Sequence, residues 1–280
     1  MRRLVRTLTV LAASAALVAP AQAFDGWTKT PNSRVRLNWC GGAEGVDPKF
    51  AKDAVELAFL ELQLDPGWKT YWRSPGDSGV PPSATWEKSK NLAGASFYFP
   101  APQRHADQGG ESIGYKDHVV LPLRVERTNN NASVTLAMSF SFGVCKNICV
   151  PVDVDVTAGC FSDSRNEIAF NVEAVPRAPG QRRDSDPNLV AVSGSVAALA
   201  PKLTIDVDFG AGATGTDLFL EAPEGLYVPL PARSPPDAKG RARFTVDLSK
   251  TLDPKDLLGK ELRLTMVSSK GASEALWVAK

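Results

Sequence analysis

An alternation of apolar and polar residues with a period of two constrains this chain more than any other feature of its sequence. The segments RVRLNW (34–39) and LAFLELQL (57–64) each place their apolar side chains on one face of an extended strand. The same pattern recurs in HVVLPLRVE, ASVTLAMSFSF and VPVDVDVTA. Because no long window shows a 3.6-residue apolar stripe, the pattern predicts an all-β protein built from antiparallel sheets.

The alternation stops at residues 176–188, PRAPGQRRDSDPN, and then restarts. That segment is polar, charged and rich in proline, which is typical of a linker. From residue 189 onward, about seven short strands fit into about 90 residues, the size of an immunoglobulin-like sandwich. We therefore predict two antiparallel β-sandwich domains, residues 24–175 and 189–280, joined by a protease-sensitive linker.

The N-terminus predicts export. Arg2, Arg3 and Arg6 precede a short apolar stretch and the small residues of AQA, a pattern typical of a secretory signal peptide covering residues 1–23. Without those three arginines, the 32 Lys and Arg residues become 29 against 31 Asp and Glu, for a net charge of −2. This charge gives no indication of a nucleic-acid partner, and we expect the mature protein in the bacterial periplasm.

The chain contains four cysteines, Cys40, Cys145, Cys149 and Cys160. In the periplasm, where we expect the mature protein, disulfides form and persist. Closing the loop of about 120 residues between Cys40 and Cys160 stabilises a fold by about 5 kcal/mol, whereas the five-residue loop from Cys145 to Cys149 contributes about 2 kcal/mol. We therefore predict Cys40–Cys160 as a structural disulfide. A small loop that stabilises little is more easily reduced, so Cys145–Cys149 is either a redox pair or a second structural disulfide.

A metal site is the weaker interpretation of the cysteines. The two histidines, His105 and His118, are distant from them in sequence and show no zinc-ligand spacing. A Cu(I) site built on two thiolates needs further soft ligands, and Met138 and Met266 fit a core better. We predict neither a metal nor a cofactor.

Three stretches together resemble a known family: GWKTYWRSPGDSGVPPSATW, IGYKDHVVLPLRV and FGVCKNICVPV. They are similar to the N-terminal periplasmic domain of the thiol:disulfide interchange protein DsbD, nearest its ScsB-like branch, which is linked to suppression of copper sensitivity. The resemblance covers most of residues 30–160. It implies an immunoglobulin-like fold whose cysteine pair passes electrons to periplasmic proteins.

Carried over by residue, the resemblance makes Cys145 and Cys149 the catalytic pair and Tyr115 an aromatic residue on a neighbouring strand. Lys146 is a charge that could lower the pKa of the thiols. Pro151 suggests that a strand starts near the surface, which favours Cys149 as the residue that forms the mixed disulfide. The aromatic cap of the family has no match in the loop PQRHADQGGES.

Two functions from different classes follow. The first is a protein-disulfide reductase of the thiol–disulfide interchange type, with thioredoxin-like or disulfide isomerase-like partners in the periplasm. Because this chain carries neither the membrane-embedded nor the thioredoxin-like domain of DsbD, we expect its reductant to be a separate membrane electron donor. The second is a non-enzymatic binding module with two structural disulfides, serving a copper-handling assembly.

Overall fold

The computed structural model describes residues 25–39, 56–76, 79–107, 110–159, 173–250 and 253–280. The predicted signal peptide, residues 1–23, and the predicted Cys40–Cys160 disulfide lie outside these ranges. Within them the structure is almost entirely β, which confirms the predicted fold class. No helix among these residues is long and apolar enough to cross a membrane.

In the first half of the chain, the described residues form eleven strands. They are β1 (Thr28–Thr30), β2 (Ser33–Asn38), β3 (Glu56–Leu64), β4 (Lys69–Gly76), β5 (Ser83–Thr85), β6 (Leu92–Phe97), β7 (Gln103–Asp107), β8 (Gly110–Lys116), β9 (His118–Arg127), β10 (Ala137–Cys145) and β11 (Cys149–Thr157). One sheet has the order β1-β2-β3-β9-β6, and the other has the order β11-β10-β4-β8-β7, with β5 paired to β10.

The predicted alternation explains how these two sheets bury a core. In β11, Val152, Val154 and Val156 are buried, whereas the intervening Asp153 and Asp155 are exposed. Successive side chains of a strand point to opposite faces, so one face of each sheet turns inward. The inward faces share a single apolar cluster centred on residues such as Val35, Leu60, Trp72, Leu123, Phe140 and Val144.

From residue 188 onward the described residues form seven strands, in agreement with the predicted number of about seven. They are β12 (Asn188–Ser195), β13 (Lys202–Asp208), β14 (Asp217–Glu221), β15 (Ala232–Arg233), β16 (Arg241–Asp247), β17 (Glu261–Ser268) and β18 (Gly271–Val278), with 3₁₀ helices at Leu248–Lys250 and Pro254–Leu257. The sheets have the orders β12-β13-β16-β15 and β14-β17-β18. Leu203, Ile205, Phe244 and Leu264 lie in the core between them.

Strand β4 loses its register with β8 partway along its length. Tyr71 pairs with Gly114, but the next pair is Gly76 with Ser112, so five residues of β4 advance against two of β8. Residues 72–75 therefore leave the ladder. A bulge of this kind bends a strand and re-aims its side chains.

The bulge of β4 meets the second half. The rings of Trp72 and Phe219 lie 5.7 Å apart, and Phe219, Val267 and Ala272 belong to the same apolar cluster as the first core. Arg104 of β7 forms a second contact, because its Nη2 lies 2.8 Å from Oδ1 of Asp217. The two halves therefore share buried surface.

Residues 176–188 follow the edge of β18. The backbone N–H of Arg177 donates to the oxygen of Ala272, and the N–H of Glu274 donates to the oxygen of Arg177. The buried Arg177 also forms an ion pair with the buried Asp186, with Nε and Oδ2 3.1 Å apart. This segment, predicted as a linker, is thus attached to the second half, and its protease sensitivity stays a prediction.

Candidate functional site

The cysteine pair closes the hairpin of β10 and β11. Nine consecutive residue pairs join the two strands, from Ala137 with Thr157 to Cys145 with Cys149. The loop of residues 146–148 turns the chain, and the N–H of Lys146 donates to the oxygen of Ile148 at 3.0 Å. Residues 146–148 therefore form a turn between the cysteines. It brings their Cα atoms to 4.1 Å, and they form a disulfide.

The two cysteines differ in exposure. Cys145 has 1% of its surface exposed, whereas Cys149, the first residue of β11, is exposed to solvent. Ile148, beside Cys149, is 67% exposed. Of the two cysteines, Cys149 is therefore the more accessible residue.

The hydroxyl of Tyr71, a residue of β4, lies within hydrogen-bond distance of both sulfur atoms of the disulfide. Its Oη lies 3.0 Å from Sγ of Cys145 and 3.1 Å from Sγ of Cys149. The sulfur atoms of a disulfide carry no proton, so the tyrosine O–H is the donor and sulfur is the weak acceptor. With Tyr71 only 4% exposed, this hydrogen bond is shielded from water.

Two glycines make room for the ring of Tyr71. A Cβ atom on Gly143 would lie 3.0 Å from Cε2 of Tyr71, and one on Gly79 would lie 2.8 Å from Cδ1. Gly143 precedes Cys145 by two residues on β10, so it lies on the same face of the sheet as the disulfide. The ring therefore lies against the backbone beside the cysteines, which brings its hydroxyl to the sulfur atoms.

Lys146 and Pro151 flank the cysteine pair and contact other parts of the backbone. Nζ of the exposed Lys146 donates to the oxygen of Pro66 at 3.2 Å, so it ties the cysteine loop to the turn that precedes β4. Pro151 pairs with Gly143 in β11, which is the last strand of its sheet. A proline is tolerated there because an edge strand leaves alternate N–H groups outside the ladder.

Tyr115, the aromatic residue expected beside the cysteines, belongs to the core. It pairs with Thr70 of β4, which in turn pairs with Val144, so Tyr115 lies on the inward face with Val144. Its hydroxyl donates to the oxygen of Pro100 at 2.8 Å, and burial raises its pKa well above the usual value. The tyrosine that contacts the disulfide is Tyr71.

Sequence reasoning missed Tyr71 because it stands between Trp68 and Trp72 in a run where every aromatic residue fits a core. The available signal was Gly143 two residues before Cys145, a residue without a side chain on the face that carries the disulfide. In the part of the chain that the structure describes, no group of three or more His, Cys, Asp or Glu side chains could hold a metal ion.

Comparisons with known proteins agree with the sequence resemblance. Residues 42–159 match the family model described as "Thiol:disulfide interchange protein DsbD, N-terminal". The solved structure of the N-terminal periplasmic domain of ScsB from Proteus mirabilis matches with a TM-score of 0.67 and 22% identity, over 91% of this chain and 97% of that chain. At this identity the match shows a shared fold.

A further structure, described as BspA_C_mut, has a TM-score of 0.14 and 7% identity over 91% of this chain and 94% of that chain, and it supports no conclusion. The search of curated proteins finds no match. The predicted resemblance to the N-terminal domain of DsbD is thus confirmed for residues 42–159.

Proposed function

We propose that this chain is a thiol–disulfide exchange protein that passes electrons between partner proteins through Cys145 and Cys149. The observation that carries the proposal is the asymmetry of the pair, in which Cys149 is exposed, Cys145 is buried and the Tyr71 hydroxyl lies within hydrogen-bond distance of both sulfur atoms. An exposed cysteine admits a partner, and a buried one is the leaving and resolving group. The family match of residues 42–159 supports the same chemistry.

Reduction of the pair begins when a thiolate of the donor protein attacks Sγ of Cys149. The Cys145–Cys149 bond breaks, a mixed disulfide forms between the donor and Cys149, and Cys145 leaves as a thiolate. The second thiolate of the donor then attacks the donor sulfur in the mixed disulfide and releases Cys149. Two electrons have moved to this chain, and the donor now holds a disulfide.

Delivery of the electrons reverses these steps on an acceptor. The Cys149 thiolate attacks a disulfide of the acceptor, forms a mixed disulfide and releases one acceptor thiolate. Cys145 then attacks Sγ of Cys149, which restores the intramolecular disulfide and frees the reduced acceptor. In both directions Cys145 develops negative charge in a buried position, and the Tyr71 hydroxyl donates a charge-assisted hydrogen bond to it.

The compartment and partners form part of the proposal. The signal-peptide pattern of residues 1–23 and the DsbD and ScsB descriptions support the periplasm. There we expect thioredoxin-like or disulfide isomerase-like proteins as partners and a separate membrane protein as electron donor. The competing function is a binding module, serving copper handling, whose disulfides only stabilise the fold.

Single-cysteine variants test the proposal. Cys145→Ser leaves the exposed Cys149 as the attacking thiol, so it should accumulate mixed disulfides with partner proteins that present a disulfide in a periplasmic extract. Cys149→Ser leaves only the buried Cys145 of this pair and should trap far less. Non-reducing electrophoresis followed by mass spectrometry reads both variants. Equal trapping by the two variants contradicts the assigned roles, and no trapping by either favours the binding module.

A further inference from the structure

Three consecutive residues of β4 point to three different places. Tyr71 contacts the disulfide, Trp72 packs against Phe219 of the second half, and Arg73 forms ion pairs with two glutamates of the second half. Tyr71 and Trp72 lie on opposite faces, as successive residues of a strand do, and the register between β4 and β8 breaks directly after Tyr71. The disulfide and the contact between the halves are therefore joined by one short stretch of backbone.

The Arg73 cluster, which consists of Arg73, Glu221 and Glu274, fixes the bulge of β4. Nε and Nη2 of Arg73 each lie 2.8 Å from an oxygen of Glu221, and Nη2 lies 2.7 Å from Oε1 of Glu274. The side chains of Glu221 and Glu274 are 14% and 7% exposed. Burial lowers the pKa of Arg73, but the two carboxylates outweigh it and raise that pKa above its usual value.

The guanidinium of Arg73 also lies over the ring of Trp72, at 4.5 Å from its centroid. A planar guanidinium held by two fork-like hydrogen bonds and one ring face has little rotational freedom. Residues 72–75 lack the ladder that fixes the rest of β4, so the Arg73 cluster supplies contacts that the ladder does not. Tyr71 is the last residue before this bulge.

We propose that Arg73 is a positioning residue for the redox pair: the second half, through Glu221 and Glu274, holds the bulge of β4 and thereby keeps the Tyr71 hydroxyl on the sulfur atoms. The inference rests on the proposed function in one respect, that Cys145 and Cys149 cycle between dithiol and disulfide. It goes further because it gives the second half a role in that equilibrium.

The direction of the effect follows from the hydrogen bond. A tyrosine O–H bonds a thiolate more strongly than it bonds a neutral disulfide sulfur, since the first bond is charge-assisted. Tyr71 therefore favours the reduced state, and loss of its position shifts the equilibrium toward the disulfide. Tyr71→Phe should shift the equilibrium constant with a reference dithiol about tenfold at a pH where a thiolate is present.

The test is a double-mutant cycle on the equilibrium with a dithiothreitol redox buffer, read by thiol alkylation and mass spectrometry on the full chain. Glu221→Gln combined with Glu274→Gln should shift the equilibrium toward the disulfide severalfold. In a Tyr71→Phe background the same pair of substitutions should produce no further shift, because the hydroxyl through which they act is gone. Arg73→Lys keeps the positive charge but loses the paired hydrogen bonds to Glu221. It should also shift the equilibrium toward the disulfide, and this shift should disappear in the Tyr71→Phe background.

Asp217→Asn is the matched control. It weakens the Arg104 ion pair, which also joins the two halves but holds β7 rather than β4. We expect Asp217→Asn to leave the equilibrium constant unchanged. A shift as large as that of the glutamate variants, or a shift by those variants that persists without the Tyr71 hydroxyl, overturns the inference.

The proposed function and this inference fail separately. If the wild-type disulfide resists dithiothreitol until the protein unfolds, the proposed function is wrong whatever the variants do. If the wild-type pair is reduced in the folded state but the Arg73 variants leave its equilibrium unchanged, the positioning role is wrong and exchange stands. Tryptophan fluorescence confirms folding of each variant before its equilibrium is measured.

Discussion

Among single residues, Gly143 determines how closely Tyr71 approaches the disulfide. We expect Gly143→Ala to lower the free energy of unfolding by about 1–2 kcal/mol, because the added Cβ lies 3.0 Å from Cε2 of Tyr71 and the ring must move. Moving the ring lengthens the hydrogen bond to sulfur, so the pKa of the attacking thiol should rise. Urea unfolding and the pH profile of iodoacetamide alkylation measure the two effects.

Gly94→Ala is the control for this substitution. Gly94 also lies in a strand, but its added Cβ meets only Oε2 of Glu126, at 3.8 Å, which is ordinary van der Waals contact. Its alkylation profile should match that of the wild type. An unchanged profile for Gly143→Ala would show that the tyrosine hydroxyl does not act on the thiol.

The sequence was informative about the cysteines and uninformative about Tyr71 for a physical reason. Two cysteines four residues apart are recognisable in the sequence as a candidate disulfide, and forming that disulfide requires a turn between them. Which of Trp68, Tyr71 and Trp72 faces the sulfur atoms depends instead on the pairing of β4 with β10, where Cys145 stands opposite Lys69. That register is set by contacts between distant parts of the chain, so no local pattern reveals it.

At the scale of the strands, the hairpin of β10 and β11 should survive reduction of its disulfide. The nine residue pairs and the buried valines of β11 remain when the S–S bond is cut, and the five-residue loop contributes only about 2 kcal/mol. We expect a mild dithiol to reduce this bond in the folded protein with a small fall in melting temperature. Alkylation time courses and melts of both forms measure this, and unfolding of the first half on reduction would contradict it.

A cluster on β2, β3 and β9 makes a pH-dependent contribution to stability. Glu61 of β3 lies 2.6 Å from Nε of the buried Arg36 and 2.9 Å from Nε2 of His118. Burial raises the pKa of Glu61, but the hydrogen bonds from His118 and Arg36 outweigh it and leave that pKa below its usual value. The ionised Glu61 therefore stabilises the fold above the unfolded-state pKa, and this contribution is lost as the pH falls through the folded-state pKa.

Glu61→Gln should cost about 3 kcal/mol at pH 7, because it leaves the Arg36 charge buried without its carboxylate. The cost should shrink as urea titrations move from pH 7 down through the lowered folded-state pKa of Glu61, where the wild-type carboxylate becomes protonated. Gln63→Ala removes the neighbouring exposed Arg34–Gln63 hydrogen bond and should cost no more than about 0.5 kcal/mol. A pH-independent cost for Glu61→Gln would rule out the ionised carboxylate as its cause.

Period-two patterns predicted the regular strands, because a half-buried strand alternates apolar and polar residues along its sequence. The bulge of β4 was not predictable in this way. Its residues WRSPG contain proline and glycine, which are equally typical of a turn that ends a strand, and only pairing with β8 shows that the strand resumes at Gly76. The bulge is also what brings the second half into reach of the disulfide.

For the whole molecule, the sequence predicted two sandwiches but not the surface between them. Arg73 and Arg104 are ordinary charged residues in the sequence, and their partners Glu221 and Asp217 lie more than a hundred residues later. No periodicity links such pairs. Because Phe219 also completes the apolar cluster of the first half, the two sandwiches should not behave as independent bodies.

Phe219→Ala tests this coupling. Phe219 is fully buried against Trp72, so its truncation should cost about 3–5 kcal/mol and open a cavity between the halves. We expect the wild type to melt in one calorimetric transition and Phe219→Ala to melt in two, since each half keeps its own core once the shared contact is lost.

Phe209→Ala is the control, because Phe209 packs against Phe244 inside the second core and contributes nothing to the contact. It should lower the melting temperature while the transition stays single. Two transitions in the wild type would mean that the contact through Trp72 and Phe219 is too weak to couple the sandwiches. The second half would then not fix the position of β4, the strand that carries Tyr71.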